Sequence, residues 1–427
     1  MANAFSKEER VAFEDLLEGF HDALVLSRNV GIYNTDQTMM ARTNDVIWRP
    51  MPYIAQSISS TPGTPIGGYQ DMTQLSVPAT IGFSRTVPWT MTTLDLRDAL
   101  QEGRLGEAAK QKLASDINLA IMNAAANLGS LVVDIGAAAG TYDDVALCDS
   151  IMNEQGVADY DRFLALSSRD YNGLAGNIAG AAAAATRSFG GNKSNTAFER
   201  SFVGMVAGFE TFKFDYANRL TGAAGGATLI DTQAAANNYY VPAATSTAPS
   251  GETQNVDNRF QTITVDNTGG VVAGDAFTIS GVEAVHHITK QGTGQPKTFR
   301  VVQVVNATDL VITPPIISAQ GGSDAELQYQ NCIVTPAAAA PFTWLNVNTA
   351  AVNVFWQRDA LELLPGRYAV PTDAGTAVMR ATTDQGIEVV MQKFYDIDSM
   401  TIKYRLDTLF GVVNKQPEMS GILLFNQ

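Results

Sequence analysis

Residues 107–128 read EAAKQKLASDINLAIMNAAANL, and the fold turns on how this stretch is understood. Apolar residues recur at Ala109, Leu113, Ile117, Ala120, Ala124 and Leu128, in steps of three and four. That spacing lays one apolar stripe along an α-helix. Alanine is the best helix former, and no proline interrupts the run. Gly129 stands where a C-terminal cap belongs. At 1.5 Å per residue the helix would be roughly 33 Å long. Such a helix is either an ordinary core element or a spine on which sheets and loops are strung.

Outward from it, the chain is too long for one simple core. Its 427 residues predict two or three domains. A charged fraction of only 17%, with abundant Gly and Ala, suits surfaces that become buried against other chains. The net charge of −15 argues against nucleic-acid recognition, which needs clustered Lys and Arg. Cys148 and Cys332 are far apart and lack metal-ligand spacing, so a reduced chain is expected. The N-terminus has no apolar signal core, and no apolar run is long enough for a membrane span.

Upstream, residues 1–30 carry an amphipathic helix. Phe5 or Val11, Leu16, Leu17, Phe20, Ala23 and Leu24 form its apolar face, opposite Glu8, Glu9, Glu14, Asp15 and Glu18. The acidic side is either a solvated face or a docking surface for a basic partner. Residues 50–90 contain Pro52, Pro62, Gly63, Pro65, Gly67 and Gly68, which break any helix. Leu75–Ile81 and Phe83–Val87 then alternate like a hairpin turning near Gly82. A connection of this length is expected to project as a β-arm toward another molecule.

Downstream, residues 173–186 are nearly low complexity and predict a loosely packed helix or loop, and Phe202–Phe214 reads as strand. From Thr221 to Phe342 the chain turns β-rich. Candidate strands are Phe260–Val265, Ala276–Ile279, Phe299–Val305 and Leu310–Thr313, which together suggest a small antiparallel barrel. Loops are expected at Asn237–Asp257 and at about His286–Lys297. Mixed character returns after Pro341, ending in two long strands at Thr383–Phe394 and Met400–Phe410. A β-domain interrupting an α/β chain is an insertion.

No reactive constellation emerges. His21, His286 and His287 are the only histidines, and neighbours in a strand point to opposite faces. There is no HExxH, P-loop, GxGxxG or GxSxG. No catalytic, cofactor-binding or metal-ligating residue is therefore assigned, and the chain is not expected to be an enzyme. Long helix, projecting arm, acidic terminus and inserted β-domain together describe an assembling structural protein. The rival is a decoration or carbohydrate-binding surface protein built on the same barrel.

Specific segments sharpen this. NVDNRFQTITV at 255–265, GDAFTISGV at 274–282 and FRVVQVV at 299–305 resemble the inserted domain of coat proteins from short-tailed phages related to Salmonella phage P-twenty-two. NDVIWRPMP at 44–52, LRDALQ at 96–101, NLGSLVV at 127–133, VAGFE at 206–210 and NVFWQRDALEL at 353–363 resemble the same family, in the same order. Residues 172–195, 234–252 and the arm tip depart from it.

The resemblance implies an α+β chain with the Hong Kong (ninety-seven type) capsid fold and an inserted antiparallel β-barrel. Its parts would be an N-terminal arm at 1–50 and an extended β-arm at 51–90. A peripheral domain with the spine helix would take 91–133 and 383–427, an axial domain 134–220 and 345–382, and the barrel 221–344. It implies a major capsid protein of the virion that forms hexamers and pentamers of an icosahedral shell, of triangulation number seven. A scaffolding protein and a portal protein would be partners, and double-stranded DNA would be enclosed without sequence-specific binding. Glu14, Asp15 and Glu18 are the expected scaffold contacts. Leu75, Val77 and Ile81 on the arm are expected to pack on a neighbouring subunit. Asp257 and Arg259 are candidates for charged contacts between subunits, with an intradomain turn as the alternative.

Overall fold

The computed structural model describes residues 7–33, 46–57, 61–63, 69–92, 99–181, 200–201, 203–214, 219–231, 239–368, 377–383 and 385–425. They form an α+β chain that divides into two units. The first gathers Met1–Ile47, Ala79–Met122 and Leu361–Val413; the second gathers Trp48–Pro78, Asn123–Ala360 and Asn414–Gln427.

In the first unit, helix α1 (Lys7–Ala23) buries Phe13, Leu16 and Phe20, with Leu24 just beyond its end. Phe13 takes the place expected of Val11, which is exposed, and Phe5 lies outside the described residues. Glu9 departs from the acidic face: it is buried, pairs with the Lys393 ammonium, and accepts from the Tyr404 hydroxyl at 3.1 Å. The spine expected at 107–128 is helix α2 (Ala99–Leu128), a full two turns longer at its start. Ala109, Leu113, Ile117 and Ala120 are buried as expected; Ala124 and Leu128 are only half-buried, and the buried face continues instead through Ile121, Ala125 and Ala126.

A six-stranded sheet completes this unit. Its order is Gly31–Ile32, Leu361–Pro365, Thr401–Asn414, Glu388–Asp396, Ala377–Thr382, with Phe83–Thr92 also paired to Thr401–Asn414. Phe83 stacks on Phe410 and Trp89 on Tyr404, at centroid distances of 5.4 and 5.5 Å, and these cross-strand pairs fix the register. The arm hairpin expected around Gly82 does not form. Ser76–Thr80 pairs instead with Val46–Pro50, while Phe83–Thr92 pairs with the C-terminal strand. Period-2 alternation identified both strands but could not identify their partners.

The second unit holds a seven-stranded mixed sheet. Its order is Leu131–Ile135, Ser420–Phe425, Ala350–Gln357, Arg162–Leu166, Phe209–Lys213, Met205–Val206, with Arg219–Leu220 paired to Ala350–Gln357. The strand expected as one piece at Phe202–Phe214 is thus two, broken by a turn at Ala207 and Gly208, both at positive φ. Parallel neighbours such as Arg162–Leu166 and Phe209–Lys213 need long crossovers. Helix α3 (Tyr142–Gln155) and helix α4 (Ser168–Ala181) lie in the chain beside these strands. Cys148, Met152, Leu164, Leu174, Phe209, Phe355 and Leu423 share one core. Gly421 is required there, because a Cβ would meet the Phe355 ring and the Leu131 main chain.

A second core in the same unit belongs to a five-stranded antiparallel sheet. Its order is Gln261–Thr264, Asp309–Thr313, Gly292–Val304, Ala276–Val285, Phe342–Trp344. Phe277 stacks between Phe299 and Phe342 at 5.8 and 4.4 Å. Thr228, Ile230 and Asp231 hydrogen-bond toward both end strands, to Phe342 and Ala340 on one side and Thr264 on the other. The loop expected at His286–Lys297 shrinks to a turn, since the strands run to Val285 and from Gly292. Gly292, Gly294 and Pro296 suggested a loop, but they lie where the register shifts, and a bulged stretch tolerates such residues. Helix α5 (Asp324–Tyr329), with its Ser323–Glu326 capping box, follows this sheet's fourth strand in sequence.

Candidate functional site

The strongest concentration of buried charge in the second unit lies along the strand Gly292–Val304. Lys297 is 1% exposed and its Nζ donates to Glu418 Oε1 at 2.5 Å and to Gln155 Oε1 at 2.8 Å. Asn331 Nδ2 donates to the same Glu418 oxygen at 3.1 Å, and His287 Nε2 lies 3.3 Å from Oε2. Thr298 Oγ1 donates to Ser130 O at 2.8 Å, and Arg300 Nη1 to Gly129 O at 3.3 Å. Within the second unit, one strand therefore grips the main chain at Gly129 and Ser130, the end of α3 and the turn Pro417–Met419. Cations are favoured at helix C-termini, where unpaired carbonyls gather.

The electrostatics follow from burial. Burial alone would raise the Glu418 carboxyl, but Lys297, His287 and Asn331 outweigh it and hold the group below the ordinary carboxylate range. Burial pushes His287 down to about 4, with Glu418 opposing. Arg300 falls to about 10 for the same reason, opposed by Asp275. The adjoining cavity, of about 30 Å³, is lined by Met51, Leu75, His287, Pro315, Tyr329 and Glu418. That is room for about two water molecules. Among the described residues, no three His, Cys, Asp or Glu side chains converge as a metal would need. The cluster holds segments of the chain together.

Sequence reasoning missed this cluster, although a lysine and an arginine embedded in the apolar run KTFRVV were a usable signal. Buried charges need partners, so their presence predicts a buried carboxylate elsewhere. Which carboxylate it would be was not legible.

The expected loop at Asn237–Asp257 contains a hairpin, Thr245–Thr247 paired with Thr253–Asn255, all six residues exposed. Asn258 anchors its base, donating to Ala243 O at 2.8 Å and Val256 O at 3.1 Å. The structure brings Asp257 and Arg259 together, but with each other: Arg259 Nη2 meets Asp257 Oδ2 at 2.6 Å. Arg259 Nη1 also donates to Asn414 O at 2.9 Å, and the guanidinium lies over the Phe260 ring. Within the chain, both residues thus take part in a local turn.

Leu75, Val77 and Ile81 are buried within the chain itself, at 1%, 0% and 0% exposure. They therefore present no surface to a neighbour here; among the described residues of the arm, Tyr53, Tyr69 and Met72 are exposed large hydrophobic side chains. The arm's Asp71 and Thr73 amides donate to Asp324 Oδ2 and Gln328 Oε1 of α5, at 2.9 and 3.1 Å. Glu14 is exposed on α1; the side chains of Asp15 and Glu18 lie outside the described residues.

Comparison with known proteins adds the following. The family model described as P22 coat protein - gene protein 5 matches residues 1–426. A structure from Mycobacterium phage Che8 is similar at 10% identity over 94% of this chain and 91% of that one, with a TM-score of 0.44. The capsid structure of the cyanophage P-SCSP1u is similar at 10% identity over 95% and 88%, with a TM-score of 0.47. The CUS-3 coat protein I-domain is 37% identical over 29% of this chain and 98% of that one, with a TM-score of 0.23.

Proposed function

The chain belongs to the P22 coat protein family, and from that premise we propose how it works as the major capsid protein of a phage shell. It is a structural protein of the virion that assembles with copies of itself. The match of the family over residues 1–426 is the observation that carries this reading.

The finer reading is that the chain co-assembles with a scaffolding protein into an icosahedral procapsid of triangulation number seven. A portal protein would occupy one vertex, and the shell would expand as double-stranded DNA is packaged. The described α+β architecture fits the Hong Kong type of capsid fold, with α2 as the spine. The five-stranded sheet, bridged at both edges by residues 228–231, fits an inserted barrel at 221–344. Many modest contacts suit such assembly, because each can dissociate to correct errors while their sum holds the shell. Exposed Tyr53, Tyr69 and Met72 support an arm contact with a neighbour better than the buried Leu75, Val77 and Ile81.

Co-expression with the scaffolding gene of the same phage tests the reading by sedimentation and electron microscopy. Closed shells are expected; a stable monomer or trimer would favour a decoration protein. In the same assay, reversing the charges of Glu14, Asp15 and Glu18 is expected to lower scaffold incorporation, and unchanged incorporation rejects these three as the scaffold contact.

A further inference from the structure

An amine and a carboxamide meet on one carboxylate oxygen in the second unit. Lys297 Nζ donates to Glu418 Oε1 at 2.5 Å, and Asn331 Nδ2 donates to the same atom at 3.1 Å. All three side chains are buried. The Asn331 carboxamide is held in one orientation. Its Oδ1 accepts from Ile317 N at 3.0 Å, and its Nδ2 also donates to Pro315 O at 2.8 Å. Asn331 and Glu418 both line the adjoining cavity. A nucleophile, an acyl group, a shared proton carrier and a main-chain N–H on the acyl oxygen are the parts that acyl transfer requires.

We propose that Lys297 and Asn331 join in an isopeptide bond within one chain, with Glu418 carrying the protons. Glu418 takes a proton from the Lys297 ammonium, and the freed amine attacks Asn331 Cγ. Charge developing on Oδ1 meets the Ile317 N–H already bonded there. Glu418 carries two protons in turn from Nζ to Nδ2. The Nζ–Cγ bond forms, the Cγ–Nδ2 bond breaks, and Nδ2 departs as ammonium through the cavity. Glu418 ends ionised, as it began, and nothing is oxidised or reduced. Burial keeps bulk water from competing for the acyl group, and proximity replaces an enzyme. Because the paired Glu418 favours its ionised form, the neutral amine is a minor state and the bond forms slowly after folding.

Intact-mass spectrometry of the full-length chain, followed over days after folding, tests this without any need for assembly. The mass is expected to fall by one ammonia, and a protease digest to yield one branched peptide containing Lys297 and Asn331. Lys297→Arg, Asn331→Ala and Glu418→Gln are each expected to keep the mass that their sequences dictate. Wild-type chain kept unfolded in guanidinium is expected to do the same. A folded wild-type chain of unchanged mass overturns the bond, even where a variant fails to fold. Loss of ammonia without a branched peptide, or with the branch at another pair, overturns the assignment. A bond that forms at the wild-type rate in Glu418→Gln overturns the role given to Glu418.

Discussion

The second unit contains two polar regions built on opposite terms. Around Lys297 and Glu418, full charges are buried and every one faces a named partner. Along 245–255, polar groups are exposed, almost uncharged, and paired only across the hairpin. The first arrangement is costly to disturb, since a buried charge without its partner loses several kcal/mol. The second is cheap to disturb, since water replaces what is lost. The contrast shows where the chain keeps its strong electrostatics: inside, fixing its own segments, while this exposed hairpin is nearly free of charge.

The largest effect should come from separating the buried partners. Glu418→Leu leaves Lys297 charged against Gln155 alone and is expected to cost about 3–5 kcal/mol in guanidinium unfolding. Adding Lys297→Met should recover most of that loss, because the orphaned charge is removed. If the double variant is as unstable as the summed singles, the two residues are not each other's partners. Gly421→Ala should cost about 1–3 kcal/mol by forcing a methyl against Phe355 and Leu131, with no change in pH dependence.

Acid sharpens the comparison further. The folded His287 titrates near 4 and an unfolded histidine near 6.5. Between those values the unfolded chain binds more protons, so stability falls as pH drops. The slope attributable to His287 reaches about 1.4 kcal/mol per pH unit. His287→Gln should flatten midpoint-against-pH plots between 6.5 and 4; an unchanged slope assigns the acid sensitivity elsewhere. The smallest effect belongs to the exposed hairpin, where Thr253→Ala should shift monomer stability by less than about 0.5 kcal/mol. A loss above 2 kcal/mol there would erase the distinction between the two regions.

How much of this was legible varied with the distance over which the signal acts. The stripe at Ala109, Leu113, Ile117 and Ala120 announced α2, because helix periodicity is local. The helix start at Ala99 was missed, since GRLG at 103–106 masks the pattern. Strands at 276–279, 299–305 and 310–313 followed from alternation, but the first was not carried on to Val285, the start of the second at Gly292 was read as loop, and Phe83–Thr92 was given the wrong partner. The site was less legible: Asp257 and Arg259 were candidates for a subunit contact or a local turn, and the pair they form with each other in the fold was not readable from their neighbours.

By itself, then, the sequence determined the elements and the family, because periodicity, turn chemistry and ordered segments such as NVFWQRDALEL are written along the chain. Only the tertiary structure decided which charges are buried and which polar edge stays open. Lys297, Gln155, Asn331 and Glu418 are separated by up to 263 positions in sequence, and a hydrogen bond of 2.5 Å depends on where the folded backbone places its ends, not on the residues that flank them.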